Sequence, residues 1–86
     1  MKVVSKREAQ QVFTIFRKQY ESMGYDTSEA SLVEGWSEGG HPAICWEGGD
    51  APYEWAYSWD NDATKGVAFC EPYYSCVLVI YPAWVA

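Results

Sequence analysis

Between Ser5 and Gly24 the apolar positions Ala9, Val12, Phe13, Phe16, Tyr20 and Met23 recur at steps of three and four residues. This period gathers side chains into one stripe along a helix. Ser5 followed by Glu8 makes a capping-box pattern, in which the serine oxygen accepts from the Glu8 amide and the carboxylate accepts from the serine amide. The spacing therefore predicts a helix that starts near Ser5 and stops at Gly24, because the residue after a helix often needs positive φ. Each buried member of the stripe contributes about 2 kcal/mol, more than the cap does, so packing decides whether the helix forms.

After Tyr25 the pattern changes to turn clusters separated by β-formers. "LVEGW" (32–36) reads as a short edge strand weakened by Gly35. "PAICWEG" (42–48), "YEWAYSW" (53–59), "VAFCE" (67–71) and "CVLVIY" (76–81) read as strands, since β-branched and aromatic residues dominate them and Gly, Pro or Asp clusters bound them. Their short connections favour pairing of sequential neighbours as antiparallel hairpins. "CVLVIY" is apolar on both parities, which suits an interior strand covered on both faces.

These elements predict a single α+β domain over residues 1–86, with one N-terminal amphipathic helix packed on an antiparallel sheet of three to five strands. With one helix available, the far face of the sheet has no cover within the chain unless loops or a partner supply it. This matters for the densest aromatic stretch. "CWEGGDAPYEWAYSW" (45–59) holds three Trp and two Tyr, and within it Tyr53, Trp55, Tyr57 and Trp59 alternate with Glu54, Ala56 and Ser58. The row is expected to split, with Trp55 and Tyr57 in the core against Phe13, Phe16 and Tyr20, and with Tyr53 and Trp59 at the rims. Five Trp, seven Tyr and three Phe exceed what one helix stripe can cover, so part of this ring surface is expected outside. Trp36, Trp46, Tyr53 and Trp59 are the candidate binding aromatics, because Tyr and Trp join apolar area to a polar handle.

Charge sharpens this expectation. Residues 1–25 hold Lys2, Lys6, Arg7, Arg17 and Lys18 against Glu8 and Glu21, a balance of +3; the remainder holds ten acids against Lys65, a balance of −9. Glu47, Asp50 and Glu54 would rim the aromatic patch, with Glu34 and Glu38 beside them. Such a field repels nucleic acid and anionic membranes and steers basic partners inward. Neither nucleic acid nor membrane is therefore expected as a partner, although the basic helix face could in principle grip a phosphate backbone. The start lacks the apolar stretch of a secretory signal, no run approaches a membrane span, and three cysteines suit free thiols. A cytoplasmic location is expected.

Catalytic chemistry is not legible. His41 is the sole histidine, and Cys45, four positions on, would stand about 13 Å away along a strand, too far for a Cys–His nucleophile. His41, Cys45, Cys70 and Cys76 lack the paired spacing of a zinc site. Cys70 and Cys76 flank "EPYYS" and could meet across a hairpin under oxidation. "DNDATKG" has the acids but not the distal glutamate of a calcium loop. The expectation is no enzyme, no metal and no cofactor.

Trp46-Glu47-Gly48-Gly49, Pro52-Tyr53-Glu54-Trp55-Ala56, Glu71-Pro72-Tyr73 and Tyr81-Pro82 together resemble a pattern in small, uncharacterised actinobacteriophage proteins. The resemblance covers the C-terminal half. Asp50-Ala51 departs from it as an insertion in a tighter "WEGGPYEW" arrangement. It implies a phage gene expressed in the cytoplasm of a bacterial host, and it brings no activity. The resulting expectation is a small acidic phage protein that binds a host protein with a basic or mixed surface. The competing expectations are a homodimer that buries the uncovered sheet face or pairs an edge strand, a DNA mimic using acids such as Asp60, Asp62 and Glu71, and, ranked last, an enzyme or small-ligand binder using an aromatic pocket with His41 or a carboxylate.

Overall fold

Ser5 caps the helix α1 (Lys6–Ser22) as its sequence position requires, with the Glu8 amide donating to Ser5 Oγ at 3.1 Å and the Ser5 amide donating to Glu8 Oε1 at 2.9 Å. The computed structural model describes residues 3–46, 59–74 and 76–83. At the other end of α1, the Gly24 amide donates to the Glu21 carbonyl and the Tyr25 amide reaches back to the Tyr20 carbonyl, the paired bonds of a Schellman stop. Gly24 sits at φ 90°, where a side chain is strained, and the Tyr25 ring closes edge-on against Tyr20 at 5.4 Å. The apolar stripe thus ends at Tyr20. Met23, expected within it, is exposed.

Strands β1 (Ser31–Val33), β2 (Ala43–Cys45), β3 (Ala68–Tyr74) and β4 (Val77–Pro82) form one antiparallel sheet in the order β1-β2-β4-β3. The α+β expectation holds, with one helix on a four-stranded sheet. Strand order departs from simple sequential pairing. β4 inserts between β2 and β3, because its unbroken apolar run is the segment able to be buried on both sides. Leu78 and Ile80 turn toward α1 with Ile44, while Val77 and Val79 turn away with Ala43.

On the helix side, Phe16 sits at the centre of the core. Its ring lies 5.0 Å from both Tyr20 and Trp46, and 6.4 Å from both Phe13 and Trp59. Trp59 belongs to no strand; it precedes a short 3-10 helix (Asn61–Thr64) whose start is capped by Asp60, which accepts from the Asp62 amide. The rest of the strand expected at 53–59 lies outside the described residues.

Two side-chain devices finish the fold. Thr27, buried behind the helix end, donates to Glu21 Oε2 at 2.5 Å and accepts from Arg17 Nε at 3.3 Å, tying the loop to α1. Asn61 pairs with the backbone of Cys70 on the outer side of β3, at the edge of the sheet. The approach of Cys70 and Cys76 that oxidation would need is not present, in keeping with the reduced thiols expected from the sequence. Cys70 stands opposite Ile80 in the register, and Cys76 lies four residues before Ile80, about 13 Å of strand away. No disulfide joins Cys45, Cys70 and Cys76.

Candidate protein-binding face

The sheet face turned away from α1 collects the functional candidates. On β3 the alternation places Phe69 opposite Tyr81 and Glu71 opposite Val79, so that both share the far side with Val79 and Tyr81. Past an irregularity between Pro72 and Tyr74, the Tyr73 ring meets Trp36 edge-on, with centroids 4.9 Å apart and planes at 77°. Trp36 arrives from the other edge. The turn after β1 passes through Gly35 at φ 61°, a left-handed conformation that favours glycine, and delivers the indole onto the cluster of Ala43 and Val79. A loop therefore supplies part of the cover that the helix cannot.

The loop that follows is tightly closed. The Ser37 amide donates to the His41 carbonyl at 3.1 Å, the His41 amide to Ser37 Oγ at 3.1 Å, and the Gly40 amide to the Ser37 carbonyl at 2.9 Å. His41 itself is buried, and its ring rests 4.6 Å from Tyr81. Trp36, Ser37, Glu38, Gly39, His41, Tyr73 and Tyr81 line a cavity of about 510 Å³.

Exposure separates this face from the core. Tyr73 is 58% and Phe69 40% exposed, and Trp36 and Tyr81 are half-buried. Isolated exposed aromatics are ordinary, whereas a contiguous set on one face makes that face a candidate interaction surface. None of the four strands contains Lys or Arg, and Glu38 and Glu71 are exposed beside the rings. Burial, the Glu71 carboxylate and Tyr73 together hold the Tyr81 phenol above its ordinary pKa. The cations Lys6, Arg7, Arg17 and Lys18 are carried by α1. Arg17 lies over the Phe13 ring at 5.7 Å, and Lys6 reaches Glu34 at 3.8 Å in an exposed pair.

Of the candidates drawn from the sequence, Trp36 lies on this face. Trp46 does not: it is 3% exposed and fills the core between Phe16 and Tyr20, so its expected place in a surface patch is corrected. It immediately follows Cys45, the last residue of β2, and continues the parity of Ile44 toward α1, where burial removes a large apolar area from water. Trp59 is half-buried on the helix side, against Phe16. Tyr53, Glu47, Asp50 and Glu54 lie outside the described residues. Phe69, Tyr73 and Tyr81 were missed as site residues, although their signal was present in the alternation of Phe69, Glu71 and Tyr73.

Among the described residues no group of His, Cys, Asp or Glu could hold a metal ion, and no helix is long and apolar enough to cross a membrane. No protein-family model matches the chain, and neither a curated protein nor a solved structure does so.

Proposed function

We propose that this chain is a protein-binding module, a small acidic phage product that docks a basic host protein on the far face of its sheet. The observation that carries this reading is the contiguous set Trp36, Phe69, Tyr73 and Tyr81, with Phe69 and Tyr73 exposed, on strands devoid of Lys and Arg. Exposed rings supply area that a partner can desolvate, and neighbouring carboxylates accelerate encounter with a positive surface. The phage origin rests on the sequence resemblance alone.

The test is affinity capture from bacterial host lysate with three immobilised proteins: wild type, a Phe69→Ser/Tyr73→Ser double variant, and Gln10→Ala on the exposed face of α1. A partner retained by wild type and Gln10→Ala but lost by the double variant supports the reading. Identical captures by all three overturn it. So does a sedimentation profile in which wild type is a stable dimer and the double variant a monomer, since the face would then serve self-association.

A further inference from the structure

The cavity beneath Trp36 has a composition more specific than an apolar patch. Trp36 and Tyr73 meet nearly at right angles and form a corner of two ring surfaces, and Tyr81 supplies a third aromatic wall. Glu38 lines the same space, and among the described residues no lysine or arginine does. Glu71 shares this face with Tyr81 through the β3–β4 register, and, after burial, its carboxylate helps to raise the Tyr81 phenol. The volume of about 510 Å³ falls in the range of ligand sites, and the hydrogen-bonded loop 37–41 fixes one wall in advance. Aromatic faces converging beside a carboxylate attract a cation that carries hydrocarbon, through the ring quadrupole and the nearby negative charge.

We infer that this cavity receives the alkylammonium head of a lysine side chain presented by the partner protein. The inference rests on the docking reading above and names its anchor. The hydrocarbon stem would lie along Tyr73 and Trp36, and the ammonium group would face Glu38. A neutral aliphatic side chain of the same length would fill the space without the electrostatic attraction.

The full chain is titrated with choline, with its uncharged carbon isostere dimethylbutanol, and with N-acetyl-lysine amide against the norleucine counterpart, and ring and indole resonances are followed by NMR. The expected result is saturable shifts at Trp36, Tyr73 and Tyr81 for the two cations, with each neutral isostere about tenfold weaker. Tyr73→Leu, at an exposed position where folding is not at stake, is expected to remove the shifts, Tyr73→Phe to keep them, and Glu38→Gln to weaken them about threefold. Equal binding of charged and neutral probes, or no shift at these rings, overturns the inference. If the probes fail while capture of the partner still depends on Phe69 and Tyr73, the docking face stands and the cation anchor alone falls. If choline binds but capture is indifferent to acetylation of the partner's lysines, the pocket serves a free ammonium ligand, and the lysine assignment is overturned.

Discussion

Asn61 and Cys70 are joined by two hydrogen bonds, the Cys70 amide donating to Asn61 Oδ1 at 2.7 Å and Asn61 Nδ2 donating to the Cys70 carbonyl at 3.0 Å. The side-chain amide stands where the backbone of another strand would pair. Two positions on, at the same parity of β3, Pro72 has no amide hydrogen to offer. Among the described residues β3 is an edge strand, and its outer side is thereby disarmed, a recurrent protection against edge-to-edge association.

Asn61→Ala is therefore expected to lower stability by about 1–3 kcal/mol, since the Cys70 carbonyl and amide lose their partners. It should also promote self-association through β3. Urea denaturation and sedimentation of the same samples check both effects; an unchanged midpoint with no oligomer would contradict the edge assignment.

Core and face should respond oppositely to truncation. Phe16→Ala removes the ring around which Tyr20, Trp46, Phe13 and Trp59 gather and is expected to cost about 3–5 kcal/mol. Tyr73→Ala, on the face, is expected to shift stability by less than about 1 kcal/mol while abolishing partner capture. Denaturant midpoints measured beside capture yields separate the two roles.

Stability should fall in alkali. Burial pushes the Cys70 thiol from 9.0 up to about 12, against a smaller opposing pull from the Thr64 hydroxyl, and burial with the nearby Tyr25 raises the Tyr20 phenol. The folded protein keeps these protons where the unfolded chain releases them. The stabilisation is complete below the ordinary thiol range and is lost as pH rises from about 9 toward the folded value, with a slope of up to about 1.4 kcal/mol per pH unit for each retained proton. Urea midpoints at about pH 7.5, 9 and 10 measure the slope, and Cys70→Ala should reduce it by one proton's worth. At neutral pH, alkylating reagents should modify Cys45 and Cys76, which are half-buried, well before Cys70.

Gly24→Ala is expected to cost about 1 kcal/mol, and Gly24→Asn less, because asparagine tolerates the left-handed region better. No neighbouring atom would meet the added carbon, so the penalty comes from the backbone at φ 90°. Thermal melts of the two variants suffice to rank them.

The helix was legible in the sequence because each of its signals is local: the Ser5–Glu8 box, the three- and four-residue steps between Val12, Phe16 and Tyr20, and the stop at Gly24 each involve residues within a turn or two of one another. The interior position of "CVLVIY" was legible too, since both parities are apolar. Its neighbours were not. Whether β4 pairs beside β2 depends on contacts between Ala43 and Val79 across more than thirty residues, and no local rule carries them. The site was read from aromatic density, which drew attention to Trp46. Parity was the better guide, because the step that sends Ile44 inward sends Trp46 inward with it, while Phe69, Glu71 and Tyr73 share the outward step.

The insertion of β4 between β2 and β3 also sets a rule for biosynthesis. A nascent chain leaving the ribosome with Ala68–Tyr74 already free still has nothing to join that strand to Ala43–Cys45, because the ribbon that bridges them follows both in the order of synthesis. The joining of β3 to the β1–β2 pair must await the emergence of Val77–Pro82, and until then the apolar side chains that β4 covers are left to solvent or to chaperones.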